Sequence, residues 1–345
     1  MPWSLSDDLD AIFAALEADW RKLAGKRIFM TGGTGFIGCW MLAALADADR
    51  RLGLGVTVTG LTRDAAAFAA KAPDLANYPG FEFVAGDVLT LEPGSNSFDL
   101  VIHAATDASA DLNENDPLKM FDTVVYGTRR VLDFAVAAKV ERVFFLSSGA
   151  VYGAQPWEVE RVAEDDRGGP DLGSHRSAYA EGKRAAEMLC TIYARQFGLD
   201  IVSARIFALL GPLLSLDIHF AAGNFIRDAI AGRKIAVQGD GTAVRSYLYA
   251  ADLTAWLWSI LLRAAPGAVY NVGSDDGVTI AQLAKRTARL LGNVEVEVLG
   301  RADAGWNPGR YVPSTERIRS ELGVTARVGL DDAIVRTAIW NGWRQ

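Results

Sequence analysis

The stretch Thr31-Gly32-Gly33-Thr34-Gly35-Phe36-Ile37-Gly38 limits this chain to a small set of folds. It follows a short apolar run, Arg27-Ile28-Phe29-Met30, and leads into Cys39-Trp40-Met41-Leu42-Ala43-Ala44-Leu45, which reads as a helix. Gly32, Gly35 and Gly38 therefore fall at a strand-to-helix turn. Gly32 permits the tight turn, Gly35 lets a pyrophosphate approach the backbone, and Gly38 lets the helix pack closely on the strand. The freed N–H groups and the positive end of the helix dipole then point at the anion. Glycines also mark ordinary turns; the strand–turn–helix setting is what points to a bound nucleotide.

Further strands are predicted over 56–62, 81–84, 100–105, 143–146 and 201–204, with helices over 64–71, 117–138 and 178–197 between them. Strands that alternate with helices, several of them continuous apolar runs, argue for an α/β doubly wound parallel sheet. The pattern loosens after Arg205, with helices over 222–231, 251–263, 280–291 and 330–340 and a strand over 294–298. This reads as a second, smaller mixed α/β substrate domain, about 206–239 plus 264–345, set against a dinucleotide-binding domain of 26–205 plus about 240–263. Residues 1–25 form an N-terminal helical extension. There Leu9, Ile12, Phe13, Leu16 and Trp20 recur at helical spacing behind a Ser6 or Asp7 cap, and the helix is expected to pack on the outside of the fold or on a neighbouring subunit.

Charge and composition narrow the partners. The net charge is −7 with no run of Lys or Arg, which argues against nucleic acid but not against a nucleotide-sized anion. Two cysteines, Cys39 and Cys190, make no disulfide framework, and three dispersed histidines make no structural zinc site. The opening residues carry Asp7 and Asp8 rather than a basic segment, and no apolar run reaches membrane-spanning length. The expectation is a soluble cytoplasmic protein with no metal.

The end of the second strand discriminates between nicotinamide cofactors. An acid there holds the ribose hydroxyls, whereas a basic residue suits a 2′-phosphate. Thr62 stands at the acid's position, Arg63 follows, and Asp64 begins the next helix as its cap. An arginine fork with no carboxylate in place points to NADP, with NAD as the alternative.

Tyr179 and Lys183 are four apart at the start of a predicted helix and so share one face. A phenol titrates near pH 10, so it needs a nearby cation to work as an acid or base around neutrality, and Lys183 supplies one. Ser148, at a strand end in Ser147-Ser148-Gly149-Ala150-Val151-Tyr152-Gly153, can bind the same substrate oxygen.

Taken together, these motifs resemble those of the extended short-chain dehydrogenases/reductases of the nucleotide-sugar epimerase/dehydratase/4-ketoreductase kind, whose fold is a Rossmann sheet. Gly86-Asp87-Val88, His103-Ala104-Ala105, Gly239-Asp240-Gly241, Arg245 to Tyr249 with Asp252, and Asn271-Val272-Gly273 extend the match over about 26–325. The resemblance implies that Thr34, Phe36 and Ile37 join the glycines at the cofactor. Asp87 and Val88 would flank the adenine, and Ala104, Ala105 and Thr106 would line the cofactor. Ser148, Tyr179 and Lys183 would be catalytic, Tyr179 and Lys183 also touching the cofactor. Ser148, Gly149, Asn224 and Arg245 would meet the substrate, Arg245 at its pyrophosphate. A homodimer through a four-helix interface is implied too, with Met120, Phe121, Val124, Val125, Met188, Ile192 and Phe197 as apolar surface.

Three departures narrow the chemistry. The sugar 4,6-dehydratases of this family carry an Asp-Glu pair where this chain has Gly149 and Ala150, and the nucleotide-sugar decarboxylases carry a Glu at Ala150. Val124 replaces the Asn of the family's Asn-x-x-Gly-Thr helix, and Arg205-Ile206-Phe207-Ala208 lacks the final Asn of its Arg-x-x-Asn motif. What remains is hydride transfer with proton transfer by Tyr179. The expectation is an NADP(H)-dependent oxidoreductase that reduces a 4-keto group on a nucleotide-linked sugar. An NAD-dependent 4-epimerase is the alternative, with a decarboxylase or a non-catalytic dinucleotide sensor ranking behind it.

Overall fold

The computed structural model describes residues 3–92, 97–106, 110–217, 221–301 and 309–344. Its frame is a seven-stranded sheet in which every pairing is parallel. We label β1 (Arg27–Thr31), β2 (Thr57–Thr62), β3 (Phe81–Ala85), β4 (Leu100–His103), β5 (Arg142–Ser148) and β6 (Ile201–Ile206). The seventh strand is Val269–Val272, and it lies at the edge beside β6. The order runs seventh–β6–β5–β4–β1–β2–β3, so the chain reverses its direction of travel between β1 and β4. A crevice opens outside the carboxyl ends of the strands at such a reversal, and ligands bind there in doubly wound sheets.

Alternation of side chains across the strands builds two cores. Ile28 and Met30 of β1, Ile102 of β4 and Phe144 and Leu146 of β5 face one way, into a core shared with the helices Phe36–Leu52 and Ala250–Arg263. Phe29, Val101, Val143 and Phe145 face the other way, toward the helices Pro117–Ala138 and Ala178–Phe197. Strands covered on both faces have no polar side to show, which is why they read as unbroken apolar runs.

Two elements differ from the sequence expectation. Val269–Val272 lies in the main sheet, although the sequence groups it with the smaller domain. Near the amino terminus the helix is Leu5–Ala15, capped by Ser4, whose N–H donates to the Asp7 carboxylate at 2.8 Å, and a separate 3₁₀ turn spans Trp20–Leu23. The Trp20 indole donates at 3.2 Å to the Phe13 carbonyl, which also accepts from the Leu16 N–H at 3.1 Å where the helix ends. This extension is core rather than an outer layer. Ile12, Leu16, Trp20 and Leu23 are fully buried, and the Trp20 ring meets Trp258 at 5.5 Å. Asp8 is buried with them, paired to Arg336 at 2.7 Å and accepting from the Tyr249 hydroxyl.

Smaller sheets lie beyond β6. Val244–Arg245 pairs antiparallel with Val278–Thr279 and parallel with Arg310–Tyr311, while Ile235–Val237 pairs with Val296–Val298. The first of these places Tyr311 opposite Arg245. Among the described residues no helix is long and apolar enough to cross a membrane, and no group of three or more His, Cys, Asp or Glu gathers as a metal site.

Candidate active site

The glycine turn closes as its spacing requires. Gly32 has φ +74°, and a Cβ there would lie 2.5 Å from Ala104 and Ala105 backbone atoms. Only glycine fits between the end of β1 and the end of β4. A Cβ on Gly38 would lie 2.4 Å from the Gly32 carbonyl oxygen, so Gly38 lets the helix close on the turn itself. At Gly35 the Cβ direction is open except for Gly32 O at 3.4 Å, which leaves room for a ligand. The Cys39 N–H is the first in this helix to bond back, to Gly35 O at 2.9 Å. The N–H groups of Phe36, Ile37 and Gly38 precede it and form the exposed positive end of the helix. The side chains of Phe36 and Ile37 turn instead to the core, which leaves only their backbone N–H groups facing the turn.

Beside the turn lies a cleft of about 400 Å³, walled by Gly32, Thr34 and Gly35, by Thr62 and Arg63, by Asp87 and Val88, and by Ala104 to Thr106. That volume and the helix-start amides suit a dinucleotide. Asp64 also borders the cleft, but its carboxylate caps the next helix by accepting from the Ala67 N–H at 2.8 Å. Lys71, at the far end of that helix, reaches the same wall. Sequence reasoning missed it; its spacing of eight residues from Arg63, about two helical turns, was the available signal. Asp87 accepts from the Leu89 N–H at 2.9 Å, which holds the loop after β3.

His103, at the end of β4, is buried and fixes the floor. Thr128 donates to the Val124 carbonyl at 2.6 Å, so its oxygen is left to accept from His103 Nε2–H at 3.0 Å. His103 Nδ1 then accepts from the Thr31 hydroxyl at 2.8 Å, and Thr31 accepts from the Ala105 N–H at 3.2 Å. Burial pushes the imidazole down to about 3, with the Lys183 charge adding to the effect, which keeps the ring neutral and this order of donors intact.

Lys183 bonds Thr106 of the cleft wall and the Leu146 carbonyl two residues before Ser148, and Tyr179 precedes Lys183 by one turn on the same helix. Ser148 ends β5, and its hydroxyl accepts from the Ala150 N–H at 3.2 Å. Tyr179 opens the helix Ala178–Phe197, and its N–H donates to Asn113 Oδ1 at 3.0 Å, while Asn113 donates back to the Arg176 carbonyl at 2.7 Å. Lys183, one turn on, is buried and donates to Thr106 Oγ1 at 2.7 Å and to the Leu146 carbonyl at 2.8 Å. Two of its three N–H groups are thus engaged within the protein. Burial drives this amine down to about 7, against the attraction of Glu187.

Burial raises the Tyr179 phenol, and the neighbouring Ser148 hydroxyl opposes the rise. The lysine is turned toward Thr106 and Leu146, deeper in the sheet.

Gly149 is a consequence of packing. A Cβ there would lie 2.6–2.7 Å from three atoms of the Phe207 ring. That ring stacks at 4.5 Å on Tyr311 and fills the place a side chain at 149 would take. Val124 is buried against Gly182, where a Cβ would come within 3.2 Å of it, so this pair lets the two long helices approach and offers no proton relay. Behind them Glu187 accepts from Ser147 at 2.6 Å and pairs with Arg205 at 2.7 Å, while Arg205 donates to the Tyr152 hydroxyl at 2.8 Å. Sequence reasoning did not find Glu187, although it lies one turn beyond Lys183 on the same face.

The substrate-side residues divide. Arg245 donates to the Gly309 carbonyl at 3.1 Å and stands opposite Tyr311 on the neighbouring strand. Asn224 is half-buried on the helix Ala221–Ile230 and accepts from Arg227 at 3.2 Å. At the expected dimer face, Met120 and Val124 belong to the core, whereas Met188, Ile192 and Phe197 are exposed.

A parallel sheet with a glycine turn and a dinucleotide-sized cleft, with Ser148, Tyr179 and Lys183 on the adjoining strand and helix, defines an enzyme of the short-chain dehydrogenase/reductase class. The chain belongs to the NAD dependent epimerase/dehydratase family, whose model matches residues 28–273. It is 30% identical over 314 residues to UDP-glucuronic acid decarboxylase 6 of Arabidopsis thaliana, covering 90% of this chain and 87% of that protein. It is 27% identical over 340 residues to dTDP-D-glucose 4,6-dehydratase of Homo sapiens, covering 95% and 93%. Among solved structures, the epimerase Mth375 of Methanothermobacter thermautotrophicus is similar at a TM-score of 0.80, with 25% identity and 95% of each chain covered.

Proposed function

We propose that this enzyme uses NADPH to reduce a 4-keto group on a nucleotide-linked sugar. The observation that carries the reading is the ribose end of the cleft, where Thr62 stands in place of an acid and Arg63 and Lys71 supply two cations. A 2′-phosphate is dianionic and favours such a site, and a cofactor consumed and exchanged at each turnover belongs with net reduction rather than with epimerisation. The Gly149–Phe207 contact supports the same reading. It leaves no room for an acid beside Ser148, and Ala150 offers none, so elimination of water or loss of a carboxylate has no second acid or base there.

The reduced nicotinamide supplies hydride when bound. Tyr179 donates its proton to the oxygen of the carbon being reduced, and Ser148 donates a hydrogen bond to the same oxygen. Lys183 directs its third N–H at the ribose of the cofactor. Arg245 holds the diphosphate of the substrate as a bidentate donor. Residues of about 206–239 and 264–345, apart from the strand Val269–Val272, form the sugar-nucleotide lobe. Two copies pair through the outer faces of the long helices, where Leu118, Tyr126, Met188, Ile192 and Phe197 are 39–70% exposed.

The test is to mix purified protein with a 4-keto-6-deoxy sugar nucleotide and follow absorbance of the reduced cofactor. Stoichiometric loss of NADPH with formation of a single alcohol is expected. A preference for NADH refutes the NADP assignment, and interconversion of two sugars without net cofactor loss identifies an epimerase instead.

A further inference from the structure

Lys183 is buried, yet among the described residues no carboxylate bonds to it: its two bonds within the protein go to Thr106 and to the Leu146 carbonyl. One turn further along the same helix face stands Glu187, to which the reduction step gives no role. Its carboxylate is held from two sides. The Ser147 hydroxyl donates to Oε1 at 2.6 Å, and Arg205 closes on it as a fork, Nε to Oε1 at 3.0 Å and Nη2 to Oε2 at 2.7 Å. Ser147 of β5 and Arg205 of β6 are register partners in the sheet, so two adjacent strands grip one carboxylate at one level. Arg205 is itself fixed, its Nη1 donating to the Tyr152 hydroxyl at 2.8 Å and to the Glu164 carbonyl at 2.9 Å.

Lys183 and Glu187 thus take hold of β5 at Leu146 and Ser147, the two residues that precede Ser148. A helix bound at one such point can pivot on it. Bound at two points about 6 Å apart along its axis, it cannot pivot without breaking a bond. We propose that Glu187 is a positioning residue that acts through Lys183: its pinned carboxylate holds the lysine against the Leu146 carbonyl and keeps the helix of Tyr179 in register with the strand that ends in Ser148. The inference rests on the role given above to Lys183. Besides Glu187, the titratable groups that face the lysine are Tyr179 and Cys190 on its own helix and His103 on β4, and Arg205 of β6 stands behind Glu187. Burial raises the Tyr179 phenol and the Cys190 thiol and holds His103 neutral, which leaves Glu187 as the group among these that offers Lys183 a negative charge.

Glu187→Gln keeps the length of the side chain and an acceptor for Ser147 while it removes the charge. The test is titration of Lys183 in the unliganded protein by NMR of 13C-labelled lysine, with the signal assigned through Lys183→Met. The midpoint should fall by about 0.5 pH or more in Glu187→Gln. That variant leaves the Arg205 guanidinium largely buried and without its carboxylate, so Glu187→Gln with Arg205→Met, which removes both charges, is titrated beside it, and there too the midpoint should fall. Glu187→Asp keeps the charge but stops one methylene short of Ser147. Its Lys183 midpoint should lie near that of the parent, while kcat for NADPH oxidation falls about tenfold or more with KM for the sugar nucleotide unchanged. An unchanged midpoint in the glutamine variants, or full kcat in Glu187→Asp, overturns the proposal; a role in stability alone moves neither. The titration needs no substrate, so a parent protein that leaves NADPH unconsumed refutes the reductase reading while the Lys183 midpoint still decides this one.

Discussion

Gly149→Ala is the sharpest probe of this site. The new Cβ would sit 2.6 Å from Phe207 Cζ and 2.7 Å from Cε1 and Cε2. Carbon atoms pack at about 3.5–4.0 Å, so the ring must withdraw by roughly 1 Å. Withdrawal is resisted by Tyr311 stacked at 4.5 Å, and by Gly273, whose own added Cβ would lie only 3.0 Å from Phe207 Cβ. Overpacking of this kind costs about 1–3 kcal/mol. Unfolding entropy of about 2.1 cal/mol/K per residue over 345 residues is about 0.7 kcal/mol/K, so the melting temperature should fall by about 1.5–4 °C. Calorimetry on Gly149→Ala, Phe207→Leu and the double variant measures it. Leucine opens a space that the alanine methyl partly fills, so the double variant should melt above the value expected from adding the two single losses. A melting temperature for Gly149→Ala within 0.5 °C of the parent (about 0.4 kcal/mol), or strict additivity, refutes the claim that Phe207 occupies the side-chain space of residue 149.

Arg63→Ala and Lys71→Ala should each weaken NADPH about tenfold or more while leaving NADH unchanged, since a charged hydrogen bond contributes about 1.5–3 kcal/mol; competitive fluorescence titration of both cofactors decides it. Met188→Glu with Ile192→Glu should yield a monomer by light scattering, because a charge at a buried apolar contact opposes assembly. Deleting residues 1–24 removes Trp20, whose burial of about 150–250 Å² contributes roughly 4–6 kcal/mol gross, and should give an unfolded or dye-binding product. Lys183, at about 7 in the fold against about 10.5 in the open chain, binds a proton more readily when unfolded between those values. Its contribution to stability therefore rises with pH across that window and is flat below it, and the difference in melting temperature between parent and Lys183→Met should trace that rise.

The main sheet could be read from the chain because its strands are buried on both faces and its helices carry long apolar stripes. The helices Pro117–Ala138 and Ala178–Phe197 are where their periodicity puts them. Val269–Val272 escaped because four residues carry too little pattern to be assigned to a sheet. The extension before β1 kept its helical spacing through a break at Leu16, since Trp20 still points inward from the next turn. Within the site, the strand–turn–helix geometry of the glycine turn was legible, as were the strand end that carries Ser148 and the helix that carries Tyr179 and Lys183. Lys71, Phe207 and Tyr311 were not, because each matters through a contact made in space. Phe207 explains Gly149 only once the two are seen together, and Tyr311 meets Phe207 from a strand about a hundred residues further along the chain.

The Arg205–Glu187 pair carries a consequence for how such a chain can diversify. Arg205 and Phe207 are two residues apart, so the strand segment that anchors the catalytic helix also carries the ring that sets the shape of the neighbouring pocket. Grafting an acid at 149 would require a smaller residue at 207, and altering that segment would disturb the tether of the helix bearing Tyr179. A change of chemistry at 149 in this chain therefore calls for fitted substitutions at 149 and 207 together, and either one alone meets a stability barrier first.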